Sequence, residues 1–191
     1  MVATFNIMQD NGGTDQTPGT ATNTDPLGPP NVRFKRADNA TIDANDPIPI
    51  PAAGTNYSKW KSLYMKCTGA PNTQVDNIQF YTSGSNFGTG ITVRVGQQFP
   101  THNSGSSTGY RVATPTDTPI LNNYAGITSV ADAFTYTSSS TLIGPAITET
   151  SNIITSIGHT TNYIIFQMEV ISTASPGNLA SQTFTIQYDE I

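Results

Sequence analysis

Few residues in this chain could do chemistry. Gly105-Ser106-Ser107-Thr108-Gly109 fits the G-x-S-x-G pattern, and Asp132 and His159 follow it in the order a hydrolase triad would need. The mechanism requires that serine on a sharp turn between a strand and a helix. No helical pattern follows Gly109, however. Tyr110 to Ala113 reads as strand, and His102, Asn103, Ser104 and Ser106 read as a long polar loop. The expectation is no catalytic serine at Ser107, and more broadly no enzyme.

Metal and redox chemistry fare no better. His102 and His159 are the only histidines and Cys67 is the only cysteine, with no short ligand spacing among them. Cys67 alternates with Leu63 and Met65, so it reads as a small buried hydrophobe and not a nucleophile. Asp43-Ala44-Asn45-Asp46, beside Pro47 and close to Asp38 and Asn39, is oxygen-rich and loosely resembles the calcium-binding linker of cadherin-type domains. Asx-Pro runs are also ordinary turn makers, so Asp43, Asn45 and Asp46 carry both readings. Asp10 to Asp15, with two glycines, is a weaker run of the same kind. No catalytic, cofactor-binding or metal-binding residue is assigned. Nothing pairs two of the 13 acids for glycosidase work. Asn39-Ala40-Thr41 and Asn56-Tyr57-Ser58 match the glycosylation sequon, as chance allows in a chain this rich in Thr and Ser.

Charge is clustered. Arg33, Lys35, Arg36, Lys59, Lys61 and Lys66 are six of the eight basic residues. Read as a strand, 31–36 puts Arg33 and Lys35 on one solvent face. That face is either a docking surface for an acidic partner or protection of a sheet edge. The net charge of −5 argues against nucleic acid as the main partner. The longest apolar run, Tyr163-Ile164-Ile165-Phe166, is far short of a membrane span. Met1 to Asp10 lacks the basic and apolar regions of a signal peptide, so manufacture in a cytoplasm is expected.

The elements that would position any site are β-strands. Thr, Ser and Asn fill 62 of 191 positions; Ile and Val number 26, Leu only five. This composition excludes a helical bundle, and the single cysteine excludes a disulfide-stapled mini-domain. Alternation predicts strands in Lys59–Thr68, around Ile78 and Phe80, in Ile91–Phe99 and near Tyr110 and Val112. It also predicts two strands flanking the Ser-Pro-Gly-Asn turn, Ile164–Ile171 and Phe184–Tyr188, which read as a β-hairpin. Pro47, Pro49 and Pro51 mark a polyproline-like connector or an edge. Tyr124–Phe134 and Ile147–Ile157 tempt a helix reading, but their Thr and Ser density favours strand or loop. The predicted fold is all-β, an antiparallel β-sandwich or jelly roll with a long polar N-terminal arm. Residues 1–30 form that extended arm or loop, because Leu27 is the only large apolar residue between 9 and 30; residues 31–191 form a single sandwich domain.

One stretch carries a resemblance. Residues 57–81, YSKWKSLYMKCTGAPNTQVDNIQFY, resemble a segment of small β-rich structural proteins of tailed bacteriophages, and Phe184-Thr185-Ile186-Gln187-Tyr188-Asp189-Glu190 is similar to the final strand of such proteins. The resemblance implies a non-enzymatic virion component of capsid-decoration or head-associated type, made in a host cytoplasm. Its implied partners are the major capsid protein or another virion protein and further copies of itself, a trimer being favoured. The competing expectation is a carbohydrate-binding or adhesive sandwich module, with Trp60, Tyr64 and Tyr81 stacking on sugar rings.

Overall fold

A computed structural model describes residues 2–14, 17–24, 32–41, 46–98, 127–138 and 153–191. Among the described residues, nine strands form two antiparallel sheets. They are β1 (Thr4–Asn11), β2 (Thr20–Asn23), β3 (Thr55–Tyr57), β4 (Lys61–Gly69), β5 (Val75–Thr82), β6 (Ile91–Gln98), β7 (Ile127–Asp132), β8 (Ile164–Ile171) and β9 (Phe184–Glu190). The large sheet runs β2-β1-β4-β8-β6-β7, with β3 also on β8, and the small sheet is β5-β9. The all-β sandwich is as expected.

Alternation explains how the sheets pack. Leu63, Val93, Val95, Phe166, Met168 and Val170 leave one face of the large sheet and meet Phe80, Phe184 and Ile186 of the small one. Beside them Phe5, Met65 and Cys67 meet Val75, Ile78 and Tyr188. Each such side chain contributes about 1.5–3 kcal/mol on burial. The opposite face of the large sheet is also buried in its middle, where Trp60, Tyr64, Tyr163 and Ile165 cluster with Met8, Ile127 and Val130. Asp132 ends β7 by capping a 3-10 turn at Ala133–Thr135, its carboxylate accepting from the Phe134 amide at 3.0 Å. Ser129 to Ala133 is thus strand running into that turn, not helix.

Three expectations are corrected. First, β8 and β9 do not pair. Both edges of β8 are taken, by β4 and β3 on one side and β6 on the other. The chain from Ser172 to Thr183 therefore crosses to the small sheet, where β9 joins β5. Second, 31–36 is no strand: Val32 to Phe34 is irregular and Lys35 to Asn39 bends. Third, the described part of residues 1–30 is not a free arm. β1 pairs with β4 through seven register positions, Thr4↔Gly69 to Asp10↔Ser62, and β2 pairs back on β1. Composition misled because buried Gln9, Asp10 and Asn11 are held by hydrogen bonds and need no apolar side chain.

Candidate functional site

Among the described residues, a dense collection of ionisable groups sits where β1, β4 and the 35–41 bend meet. Strand alternation sends Met8 and Asp10 to one face of the large sheet and Gln9 and Asn11 to the other. On the first face the Asp10 carboxylate accepts hydrogen bonds from the Tyr163 and Tyr64 hydroxyls. The two rings meet edge to face at 5.6 Å. Burial pushes the Asp10 carboxyl above the usual range, against the pull of both tyrosines, and burial beside Asp10 pushes the Tyr64 hydroxyl up as well.

At the start of β4 lies Lys61, with 0% of its surface exposed. Its ammonium donates to the Ala37 carbonyl at 3.0 Å, while buried Lys35 donates to the Thr41 carbonyl at 2.8 Å. The Asp38 carboxylate accepts from the Gly12 amide at 2.9 Å. Lys59 donates its amide to the Lys35 carbonyl, and Arg36 its amide to Asp46, both at 2.9 Å. Together these bonds pin the bend at 35–41 to β1 and β4. Burial lowers the Lys61 pKa from 10.5 to about 8; Asp38 opposes this and Lys35 and Lys59 add to it.

The shift has a measurable sign. Folded Lys61 releases its proton near pH 8, whereas the unfolded chain holds it to about 10.5. Between those values the unfolded state binds more protons, so stability rises with pH, by about 1 kcal/mol from pH 7 to 9. Cys67 and Tyr64, both pushed up by burial from 9.0 and 10.0, act oppositely at higher pH. Urea midpoints are therefore expected to climb to about pH 9 and then fall. Lys61→Met should lose the climb and keep the fall; a wild-type midpoint flat from pH 7 to 9 would refute the assignment.

The expected sites fare as follows. Gly105 to Gly109, Ser107, His102, Asp43 and Asn45 lie outside the described residues. Asp132 ends β7 while His159 bonds β4, its carbonyl accepting from the Cys67 amide. His159 lies beside the Cys67 end of β4, whereas Asp132 pairs with Arg94 level with Gln167, near the Lys61 end; about six residues of strand, roughly 20 Å, separate them, so they form no Asp–His pair. Cys67 is fully buried and its thiol donates to the Gly69 carbonyl at 3.3 Å. A thiol reagent should label it more than about a hundredfold faster in denaturant than in the native protein; equal rates would contradict that burial. Among the described residues no three His, Cys, Asp or Glu side chains gather as metal ligands do. Asn39 and Asn56 of the sequons are engaged with the Thr41 amide and the Pro49 carbonyl.

Two surface readings are overturned. Trp60 and Tyr64 are only 3% and 4% exposed, so neither can stack on a sugar. They pack with Tyr163 and Ile165 on the covered face of the sheet. Tyr81 alone of the three reaches the surface, half-buried on β5. The basic cluster is not one docking face either: Arg33, Arg36 and Lys66 are exposed, but Lys35 and Lys61 are buried struts. Sequence reasoning met Asp10 only in a weak oxygen-rich run and Tyr163 only in an apolar run, and did not bring the two together. The only available signal was the short alternation Phe5-Asn6-Ile7, whose continuation through Met8 and Gln9 would carry a strand to Asp10.

No family model, curated protein or solved structure matches this chain.

Proposed function

We propose that this protein is a non-enzymatic structural component of a virion, of capsid-decoration or head-associated type, which works by shape and contact. One observation carries the reading: the described groups best suited to chemistry are spent as internal struts. Asp10 ties β1 to Tyr64 and Tyr163, Asp38 and Lys61 tie the 35–41 bend to the sheet, and Lys35 closes that bend on Thr41. Such bonds rigidify a body and place its charges out of reach of a substrate. The resemblance of residues 57–81 to tailed-phage structural proteins supports the same reading. Its partners are then a capsid lattice and further copies of the chain, since repeated weak contacts on a symmetric lattice add up.

Deleting residues 1–30 is a poor test, because it removes β1 and the Asp10 anchor together with any contact surface. The better experiment adds the folded, full chain to purified capsids and measures co-sedimentation. Saturable binding at a stoichiometry matching the lattice is expected. Failure to bind capsids, together with selective binding on a glycan array, would replace the reading with the carbohydrate-binding one.

A further inference from the structure

A second polar centre lies at the other end of β8, outside the strut cluster. A groove of about 430 Å³ opens there between the Asn86–Gly90 turn, β6 and β8. Glu169 stands in it with a side chain only 12% exposed. Its backbone faces Thr92 of β6 and Tyr57 of β3 in register, which fixes the carboxylate between two strands. One carboxylate oxygen, Oε2, accepts from Arg94 Nε at 3.2 Å. Among the described residues the second oxygen accepts no such bond.

Three features shape the vacancy. Gly88 and Gly90 have φ of +112° and +78°, and a Cβ on Gly88 would meet open space. A side chain at either glycine would be strained, and one at Gly90 would also strike the Ala174 backbone, so the turn is built from residues without side chains where it lines the groove. One edge of the otherwise polar lining is apolar: Ile171 is 40% exposed and its amide is tied to the Gly90 carbonyl at 2.9 Å. The charge is unbalanced. Among the described residues, Glu169 on β8 and Asp132 on β7 flank one guanidinium, Arg94 on β6; burial and, less strongly, Asp132 push the Glu169 carboxyl up while Arg94 pulls it down.

We infer that this groove takes a lysine side chain from a partner protein, its ammonium paired with Glu169 and its aliphatic stem lying on Ile171. Charge complementarity selects a cation, since two carboxylates face one guanidinium. Geometry selects ammonium over guanidinium. Arg94 already occupies one oxygen, so no bidentate carboxylate face remains for a second arginine, whereas a compact ammonium needs one oxygen. The Thr92 hydroxyl lines the same groove and offers a further acceptor. Long cationic side chains bury their methylene stems on apolar rims while the head stays polar. The inference goes beyond the virion reading and does not depend on the partner being a capsid subunit.

The test is an amide-shift titration of the full isotope-labelled chain with Nα-acetyl-lysine-N-methylamide. Saturable shifts are expected at Gly88, Gly90 and Thr92, and none with the Nε-acetylated analogue. Glu169→Gln should weaken binding at least about tenfold. Arg94→Gln should tighten it several-fold, because it removes the competing cation; this opposite sign keeps the inference testable if Glu169→Gln fails to fold. Equal shifts with the acetylated analogue, equal affinity for the matching arginine amide, or weaker binding by Arg94→Gln would each overturn it. Capsid co-sedimentation is a separate readout, so failure of this groove and failure of the virion reading are distinguishable.

Discussion

Phe166→Ala is expected to destabilise the fold by about 4 kcal/mol, a large share of the 5–15 kcal/mol that typically separates folded from unfolded domains. Phe166 is 1% exposed and leaves the central strand β8 toward the small sheet. Its ring stacks on Phe184 of β9 at 5.1 Å and meets Phe80 of β5 edge-on at 5.4 Å, and those two rings meet each other at 5.7 Å. This trio joins the sheets. Alanine would leave a cavity between the large sheet and two aromatic rings of the small one, so collapse would require the sheets to move together. Phe166→Leu refills most of the volume and should cost only about 1–1.5 kcal/mol. Chemical denaturation of both variants checks this. A cost below about 1 kcal/mol for alanine would mean that Phe166 is not what holds the layers together.

The strands that make this junction were legible, but their partners were not. Period-two alternation in Ile164–Ile171 and Phe184–Tyr188 marks which side chains share a face, and both strands are where it puts them. Alternation says nothing about which edge meets which. Nearness in sequence and a Pro-Gly turn suggested a hairpin, yet β8 is buried on nearly every residue and carries neighbours on both edges. A strand apolar on both faces, as Tyr163-Ile164-Ile165-Phe166 is, belongs at the centre of a large sheet, and that was the available clue. The 31–36 segment failed for a different reason. Val32 and Phe34 do pack on the core, but Lys35 is drawn in to bond the Thr41 carbonyl, and the chain bends there.

The polar site was harder to read because its signal runs against composition. Lys61 alternates onto the same face as Leu63, Met65 and Cys67. That parity was present in the sequence, but a lysine is almost never fully buried without a partner, and its partner is a backbone carbonyl that no side-chain pattern encodes. Trp60 and Tyr64 lie on the other face. Polar Ser62 and Lys66 between and beyond them made that face look like solvent, although its middle is covered.

Asp10→Ala should be the costliest polar substitution, at about 3 kcal/mol. It removes the acceptor of two hydroxyls, on Tyr163 at 0% exposure and Tyr64 at 4%. Leaving a buried donor without a partner costs about 1–3 kcal/mol each, partly offset by no longer burying a carboxylate that burial already disfavours. Asp10→Asn keeps a carbonyl oxygen in place and should cost about 1 kcal/mol. The comparison isolates the acceptor, because both variants remove the charge. A double-mutant cycle sharpens it: in the Tyr163→Phe background, Asp10→Ala should cost less by at least about 1 kcal/mol, since one hydroxyl no longer needs the carboxylate. If alanine and asparagine cost the same, Asp10 is tolerated in the sheet and does not anchor β1. The first strand would then be held by its ladders to β4 and β2 and by the packing of Phe5, Ile7 and Met8.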